Sequence, residues 1–378
     1  MKIPLLDLVA QYKNIKNDID RAVIGVLESG GYVQGANVRL LEEEVAAYTG
    51  SKHAVGVASG TDALFLALKA YGIGPGDEVV VPSFTFFATS EAVSNTGAVP
   101  VFTDIDMATY CIDVNEIEKK ITERTKAIIP VHLFGHPSDM DPIMNLAHKH
   151  GVKVIEDNAQ ALGCDYKGKK TGSIGHVGCL SFFPSKNLGG CGDGGMVLTD
   201  DGTVAEKVRQ LKTHGWAVKY EPKMLGYNSR LDELQAAILR VKLPHLDRWN
   251  EARHAIAGRY AGLMSGDGVF LPQESSHARH VYHLYVIRVS HRQTVQEYLK
   301  SSGIACGVYY PKPLHLLDPY LHFDFKDGDF PSSERCSSEC LAIPLYPDMS
   351  EDQISAVASG VCEAVKRSRV ANRGVLSQ

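Results

Sequence analysis

The sequence predicts an α/β protein with a large domain built on a mostly parallel sheet and a smaller α+β domain after it. From residue 38 to residue 199, short runs rich in Val and Ile alternate with segments whose apolar residues have helical spacing. These short runs are apolar on both faces, which is typical of strands covered by helices on each side. The pattern changes after Leu231, so we expect domains at 1–249 and 250–378.

The expected elements of the large domain follow in chain order. Apolar residues at helical spacing (Leu41, Val45 and Tyr48) predict a helix over 38–48, and a run rich in Ala and Leu predicts another over 60–71. Runs of Val and Ile predict strands at 53–58, 78–82, 99–103, 127–131 and 153–156. Helices are expected at 87–95 and at 141–150, where Pro142 suits a first helical turn. Strands at 178–183 and 196–199 flank a Gly-rich segment.

The expected elements of the second domain begin with two helical segments. Residues 232–243 form a helix that Pro244 ends, and a second helix covers 249–263. Strand-like residues 281–289, a helix over 292–302 and strand-like residues 305–309 follow. Ser350 and Gln353 have the spacing of a capping box and predict the start of a final helix.

Composition excludes several classes of protein. The 378 residues include 39 basic and 44 acidic ones, a net charge of -5 that does not fit a nucleic-acid binder. The longest apolar runs, such as 127–133, are far shorter than the about 20 residues that span a bilayer, and Asp7 interrupts any secretory signal. Of eight cysteines only Cys336 and Cys340 are close together. We therefore expect a cytoplasmic protein with free buried thiols and no metal.

Polar clusters follow three of the expected strands, where open α/β sheets bind ligands. In the first, Ser59-Gly60-Thr61-Asp62, backbone N–H groups and the Thr61 hydroxyl are suited to hold a phosphate, although a helix cap without a ligand is the commoner explanation of such a segment. In the second, Asp157 follows Glu156, and an acid there binds a metal, a ribose or a heterocyclic nitrogen, or caps the next segment.

The third cluster carries one lysine, Lys186, among aromatic, hydroxyl and glycine residues from Ser181 to Gly195. Burial of a lysine lowers its pKa and frees the amine for Schiff-base chemistry. A lysine, an upstream acid and hydroxyls for a phosphate are together the protein groups that pyridoxal phosphate requires. An aromatic residue is expected over one ring face, and Phe84, Phe86 and Phe87 follow the strand that ends at Pro82.

The chain also resembles the DegT/DnrJ/EryC1/StrS family of sugar aminotransferases. The resemblance runs in order from Pro4 to Glu363 and includes Ser59-Gly60-Thr61, Pro82-Ser83-Phe84-Thr85-Phe86, Pro130 to Gly135, Ile155-Glu156-Asp157, Ser181 to Gly189, Gly192 to Gly195 and Gly226 to Ala237. It implies a fold like that of aspartate aminotransferase (fold type I), with a seven-stranded mixed sheet in the large domain.

The resemblance implies a role for each matched residue. Lys186 resembles the lysine that binds pyridoxal 5′-phosphate and moves the proton, and Phe86 resembles the residue stacked on the ring. Further cofactor contacts are implied for Asp157 (ring nitrogen), Gln160 (ring hydroxyl) and Gly60, Thr61 and Ser181 (phosphate). Asn228 matches an asparagine that reaches the phosphate from the neighbouring subunit, which implies a homodimer.

The resemblance also implies the reaction. Relatives that dehydrate keto-sugars carry histidine at the lysine position, so Lys186 indicates a full transamination in which L-glutamate loads pyridoxamine phosphate and a nucleotide-linked keto-sugar is aminated. Asn158 is typical of relatives that act on dTDP-3-oxo-6-deoxyhexoses, in amino-sugar biosynthesis for a surface polysaccharide such as lipopolysaccharide O-antigen or for a glycosylated natural product. A 4-oxo sugar, a UDP-linked sugar, a cyclitol ketone and a cofactor-binding regulator are the alternatives.

Substrate contacts are expected in two segments. Tyr310 and His315 lie in a segment that resembles one lining the sugar pocket, although a turn held by two prolines also explains it. Trp216 lies in a loop that we expect to face the sugar nucleotide. Arg230 either neutralises the pyrophosphate or forms an internal salt bridge.

Overall fold

The computed structural model describes residues 2–264 and 268–375. The helices are α1 (Leu8–Asn14), α2 (Lys16–Ser29), α3 (Ala36–Thr49), α4 (Gly60–Ala70), α5 (Ala88–Thr96), α6 (Val114–Ile117), α7 (Met140–His150), α8 (Gly202–Leu211), α9 (Glu233–Lys242), α10 (Leu246–Leu263), α11 (Arg292–Ser301), α12 (Pro331–Glu339) and α13 (Glu351–Val375). The strands are β1 (His53–Val57), β2 (Glu78–Pro82), β3 (Val99–Thr103), β4 (Thr125–Ile128), β5 (Lys153–Asp157), β6 (Asp165–Tyr166), β7 (Lys169–Lys170), β8 (Val177–Ser181), β9 (Gly195–Thr199), β10 (Trp216–Val218), β11 (Glu221–Pro222), β12 (Ala278–Arg279), β13 (Tyr285–Arg288) and β14 (Cys340–Ile343). Within these ranges no helix is long and apolar enough to cross a membrane.

A seven-stranded mixed sheet is the centre of the large unit. Its strand order is β1-β9-β8-β5-β4-β2-β3. Strand β9 runs antiparallel to β1 and β8, and the pairs from β8 to β3 are parallel. The carboxyl ends of β1, β2, β4, β5 and β8 therefore meet at one edge of the sheet. The predicted α/β fold with a seven-stranded mixed sheet is confirmed.

Helix α4 is held under the sheet by its apolar residues. Leu64, Leu66 and Leu68 are buried in the same cluster as Val81 of β2 and Val197 of β9. The helix begins at Gly60 because the Ser59 hydroxyl accepts the Asp62 N–H at 3.0 Å. Burial of the helix body thus directs its N-terminus toward the edge where the parallel strands end.

A second hydrophobic core lies beside the sheet. The antiparallel pair β13 and β14 packs with α10, α11 and α13 around Tyr260, Ile287 and Val357. Ile3 belongs to this core too, and its backbone pairs with Gly303 and Ala305 at 2.9 Å each. The residue 249/250 boundary falls inside α10, and the division into 1–249 and 250–378 stays a prediction.

Several elements differ from the expectations. Residues 8–29 form α1 and α2, for which no helix was expected, and β14 was also missed. Residues 305–309 form only an isolated bridge between Gly307 and Ala342 instead of a strand. The capping box is confirmed, because the Ser350 N–H donates to Gln353 Oε1 at 2.9 Å and the Gln353 N–H to Ser350 Oγ at 3.3 Å.

The cysteines are free, as expected, but not all are buried. Five are buried, namely Cys111, Cys164, Cys179, Cys336 and Cys340. Cys191 is exposed, and Cys306 and Cys362 are half-buried.

Candidate active site

A cavity of about 490 Å³ lies where the parallel strands end. The sheet supplies Asp157 at the end of β5 and Ser181 at the end of β8, and the second core supplies Tyr285 and Ile343. The polar and charged lining includes Ser59, Thr61, Thr85, Asp157, Gln160, Ser181, Ser185, Lys186, Asp193, His283, Tyr309 and Tyr310. This is the position at which open α/β sheets bind ligands.

Lys186 is the amine of the cavity. It lies in the turn after β8, where its backbone N–H donates to the carbonyl of Phe183 at 2.8 Å. Burial lowers the pKa of Lys186 to about 8, against a smaller opposing effect of the Asp157 charge. With this pKa roughly a tenth of the amine is unprotonated at pH 7, far more than at the ordinary pKa of 10.5, and the unprotonated amine is the state that attacks a carbonyl.

Asp157 is the buried acid of the same cavity. Burial raises the pKa of its carboxyl above the usual range, and a hydrogen bond from Thr89 leads the effects that lower it. The Thr89 hydroxyl donates to Oδ2 at 2.8 Å, and the Ala159 N–H donates to Oδ1 at 3.2 Å. Such a carboxyl gains most from a cationic partner inside the cavity, such as a protonated ring nitrogen.

A cradle for an anion lies at the N-terminus of α4. The hydroxyl and carbonyl of Ser59 accept the N–H groups of Asp62 and Ala63, so those of Gly60 and Thr61 stay available to a ligand. A Cβ atom on Gly60 would stand 2.7 Å from Cβ of Ser181. Only glycine therefore allows β8 and α4 to approach this closely.

Gln160, Tyr310 and Phe86 form the remaining wall. Gln160 Oε1 accepts the Phe134 N–H at 2.8 Å, and its amide nitrogen donates to the Tyr310 hydroxyl at 3.1 Å. The rings of Phe86 and Tyr310 are 5.9 Å apart. Phe86 is 54% exposed, unlike the buried Phe84, so its ring is available to cover a flat ligand.

These residues fit pyridoxal phosphate. The amine of Lys186 matches its aldehyde, the carboxyl of Asp157 its ring nitrogen, and the cradle at Gly60 its phosphate. All eight residues expected at the cofactor except Asn228 line this one cavity. The fold and cavity define the class of enzymes that carry an amino group on pyridoxal phosphate.

The chain belongs to the DegT/DnrJ/EryC1/StrS aminotransferase family, whose profile matches residues 13–362. A crystal structure described as Streptomyces venezuelae DesV in complex with a ketimine intermediate has a TM-score of 0.95 and 43% identity, covering 97% of this chain and 99% of that one. The protein is therefore a pyridoxal-phosphate-dependent sugar aminotransferase of the fold expected, with pyridoxamine phosphate as the form that carries the amino group.

Three relatives show how the family varies. A "pleiotropic regulatory protein" of Geobacillus stearothermophilus is 47% identical over 96% of this chain and 98% of its own. A UDP-N-acetyl-3-dehydro-alpha-D-glucosamine 3-aminotransferase of Acidithiobacillus ferrooxidans is 47% identical over 94% and 96%. A dTDP-3-amino-3,6-dideoxy-alpha-D-galactopyranose transaminase of Aneurinibacillus thermoaerophilus is 44% identical over 95% and 98%.

Of the four residues expected to contact the substrate, Tyr310 lines the cavity and three lie elsewhere in the chain. His315 is fully buried, with Nδ1 2.6 Å from the Ser83 hydroxyl and Nε2 3.2 Å from Glu334. Trp216 lines a separate surface cleft, and Arg230 is half-buried outside the cavity. Within one subunit these three side chains do not meet the cavity.

Asn228 is exposed, in a segment that is hydrogen-bonded to the helix whose N-terminus forms the cradle. Its backbone forms a bridge with Thr213. The next residue, Ser229, donates its hydroxyl to Asp62 of α4 at 2.6 Å. Asn228 therefore lies on the surface of its own subunit beside α4 instead of inside the cavity.

Asn158, which is typical of relatives that act on dTDP-3-oxo-6-deoxyhexoses, lies outside the cavity. It is 1% exposed, its amide donates to the Thr171 carbonyl at 3.0 Å, and its Oδ1 accepts from the Thr171 hydroxyl at 2.8 Å. Both ends of the side chain are used within the fold. Asn158 does not line the cavity, so it gives no direct contact by which a sugar is chosen.

Proposed function

We propose that this enzyme transfers the amino group of L-glutamate to the keto carbon of a nucleotide-linked 3-oxo sugar. The first candidate is dTDP-3-oxo-6-deoxyhexose, which would become dTDP-3-amino-3,6-dideoxyhexose. The observation that carries the proposal is the pairing, in one cavity, of a lysine whose pKa is about 8 with a buried acid. The names of the Acidithiobacillus and Aneurinibacillus relatives both place the chemistry at carbon 3.

The side chains divide the work as follows. Pyridoxal phosphate, when bound, supplies an electron sink for the pair left by a departing α-proton. Lys186 Nζ takes that proton and returns it, and a positioned group of this kind contributes about 10² to 10⁴ in rate. With the cofactor bound, Asp157 would keep the ring nitrogen protonated, and Gln160 would bind the ring oxygen. The remaining contacts are Gly60, Thr61 and Ser181 to the phosphate and Phe86 to the ring face.

A UDP-linked 3-oxo sugar is the second candidate. It is favoured by the 47% identity to the Acidithiobacillus relative, whose name contains a UDP-sugar, compared with 44% to the Aneurinibacillus relative, whose name contains a dTDP-sugar. Asn158, the residue on which the dTDP preference depended, is bonded to Thr171 away from the cavity. The nucleotide must therefore be decided by comparing acceptors directly.

A regulator without catalysis is the alternative that the name of the Geobacillus relative suggests. The arrangement of the cavity favours catalysis instead. Lys186, Asp157 and the phosphate cradle at Gly60 all line this one cavity, which is the set of groups that transamination requires. A regulator would also show no reaction with any amino acid.

The test is an absorbance scan of the purified protein before and after L-glutamate, followed by keto-sugar. Glutamate should bleach the yellow band of the lysine-linked cofactor, and the correct acceptor should restore it. A dTDP-3-oxo-6-deoxyhexose, a UDP-linked 3-oxo sugar and a dTDP-4-oxo sugar are compared at equal concentration. Restoration only by the 4-oxo sugar would refute the assignment to carbon 3, and a band that ignores every amino acid would indicate a regulator.

We further propose a homodimer in which Asn228 of each subunit reaches the phosphate bound by the other. Its exposure outside the cavity of its own chain supports this arrangement. Arg230 and Trp216 remain proposed substrate contacts, and a second subunit is the means by which the exposed segment after Trp216 would reach a sugar nucleotide. His315 is no longer proposed as a contact, because it is fully buried and both of its ring nitrogens have partners within the chain. The proposed setting is the cytoplasm, in the synthesis of an amino sugar for a surface polysaccharide or a glycosylated natural product.

A further inference from the structure

His283 is a buried polar residue of the cavity wall that none of the roles above uses. Its side chain is 6% exposed and lines the cavity that holds Lys186. Within the described part of the chain, Nδ1 of its ring has no hydrogen-bond partner. Buried polar groups nearly always have a partner, so Nδ1 is an exception, and Nε2 is the ring nitrogen left to make a polar contact with another group of the cavity.

The segment that carries His283 is tied to the lysine turn. Asn187, directly after Lys186, donates its amide to the carbonyl of Val281 at 3.1 Å. On the other side, the guanidinium of Arg253 donates to the carbonyls of Tyr282 at 3.3 Å and Leu345 at 3.0 Å. Both ties are buried, so the imidazole is held in a fixed position relative to Lys186.

The imidazole is uncharged. Burial lowers its pKa well below the ordinary value, and the positive charges of Lys186 and then Arg253 lower it further. A neutral imidazole carries its proton on one nitrogen only. Orphaned buried N–H groups are rarer than orphaned acceptors, and we therefore assign the proton to Nε2 and leave Nδ1 bare.

We propose that the Nε2–H group of His283 donates a hydrogen bond to the ε-amino nitrogen of Lys186 when that amine is uncharged and not bound to the cofactor. His283 is then a positioning residue, which holds the side chain of Lys186 in place after the lysine is released from the cofactor. A hydrogen bond to the lone pair exists only with the uncharged amine, so it keeps the amine ready to take the proton or to bind the cofactor again.

Other groups of the cavity also affect the protonation of the Lys186 amine. Asp157 favours the charged ammonium form, so His283 and Asp157 act in opposite directions. Burial is the main reason that the pKa of His283 is lowered, and the charge of Arg253, whose guanidinium donates to the Tyr282 carbonyl, is a smaller effect in the same direction. The remaining titratable groups of the lining are Asp193, Tyr285, Tyr309 and Tyr310. All of them stay unchanged when His283 alone is replaced.

The test uses protein freed of cofactor, so it is independent of the sugar. Methylation of Lys186 by formaldehyde and cyanoborohydride is followed against pH by peptide mass spectrometry, with exposed Lys169 in the same sample as reference. The wild-type midpoint is expected near 8. In His283→Leu it should rise by about half to one pH unit, which is the effect of one lost hydrogen bond, and in His283→Gln, which keeps a donor, it should stay near wild type.

Three results would overturn the proposal. An unchanged midpoint in His283→Leu would mean no contact with Lys186, and a lower one would mean that the ring accepts a hydrogen bond from the ammonium group. A glutamine variant that behaves like the leucine variant would indicate packing alone. If His283→Leu does not fold, ¹⁵N spectra of the wild type with labelled histidine show which ring nitrogen of His283 carries the proton. A proton on Nδ1 would refute its assignment to Nε2.

The inference rests on the role proposed for Lys186, but its failure is separate from failure of the proposed function. Glutamate and keto-sugar are absent from the methylation experiment. A null result there leaves the absorbance test of transamination unaffected, and a protein that ignores glutamate can still show the shifted midpoint.

Discussion

The hydroxyl of Thr89 donates a 2.8 Å hydrogen bond to Oδ2 of Asp157 at the bottom of the cavity. Thr89 is fully buried in the first turn of α5, and it lies 68 residues before its partner in the sequence. Its bond is the largest of the effects that lower the Asp157 pKa against burial. Thr89 therefore helps to keep Asp157 ionised, although it contributes no charge.

Replacement of Thr89 by valine should weaken the acid without changing the shape of the site. The carboxylate loses a donor, so the Asp157 pKa rises further and the ring nitrogen is held less firmly in its protonated form. A hydrogen bond to a charged group contributes about 1.5 to 3 kcal/mol, which corresponds to at least an order of magnitude in kcat. The measurement is kcat of transamination against pH, whose acid limb should move to higher pH.

The direction of this shift follows from the protonation state in which Asp157 is active. Asp157 acts when ionised, so a higher pKa means that activity begins to fall at a higher pH as the solution is acidified. Thr89→Ser keeps the hydroxyl and should follow the wild-type profile. A valine variant whose profile superimposes on wild type would show that the hydroxyl does not support Asp157.

Replacement of Gly60 by alanine should damage the phosphate cradle. The new Cβ would stand 2.7 Å from Cβ of Ser181, and such overpacking costs about 1 to 3 kcal/mol. We expect the Kd for pyridoxal phosphate, titrated into cofactor-free protein, to rise about 10- to 100-fold.

Gly25 provides the matched control, because it lies in α2 with no atom within 4 Å of an added Cβ. Gly25→Ala should keep the wild-type Kd and stabilise its helix by about 0.5 to 1 kcal/mol. Equal Kd values for both alanine variants and the wild type would exclude a phosphate cradle at Gly60.

How much of the fold the sequence predicts depends on how strongly each element is patterned. Strands β2 and β5 and helix α4 were expected within a residue or two, because each is buried over most of its length. Helix α2 was not expected, since only Ile19 and Val26 are buried among its 14 residues. A helix with so few buried residues has almost no helical spacing of apolar residues in its sequence, so the sequence does not predict it.

The residues of the site also differ in how well the sequence predicts them. Lys186 and Asp157 were recognisable because they occur together with a phosphate-binding segment, a set that pyridoxal phosphate requires and that the resemblance to the family supports. Thr89 and His283 were not, since a buried threonine or histidine has many ordinary explanations and gains its meaning only from a neighbour far away in the chain. His315 shows the opposite case: the chain turns after Tyr310 and buries His315 against Ser83 and Glu334.

Lys186→Met should stabilise the cofactor-free protein at neutral pH. The fold lowers the Lys186 pKa to about 8 from 10.5. Below pH 8 the folded protein therefore contains a buried charged amine, which lowers its free energy of unfolding. The unfolded chain binds more protons between pH 8 and 10.5, and wild-type stability therefore rises with pH across that window. The free energy of unfolding in urea, measured for both proteins from pH 7 to 10, checks this.

The expected gain of the methionine variant at pH 7 is up to about 3 kcal/mol, since one pKa unit corresponds to about 1.4 kcal/mol. The gain should shrink toward pH 10, where the wild-type amine is also neutral. Other titrating groups cancel in the difference between the two proteins. A difference that stays constant over this range would mean that the Lys186 pKa is not lowered in the fold.

Mixed dimers of two inactive variants should regain activity if Asn228 serves the neighbouring subunit. In Lys186→Ala the lysine is lost, and in Asn228→Ala the proposed phosphate contact across the interface is lost. In a hybrid of the two, one site lacks both groups, whereas the other takes Lys186 from one subunit and Asn228 from the other and is intact. Co-expressed, differently tagged subunits purified through both tags should therefore show about half of the wild-type kcat per dimer, at the wild-type Kd for cofactor in the intact site. If Asn228 instead acted within its own chain, each hybrid site would lack one group, and the hybrid would be no more active than the average of its parents.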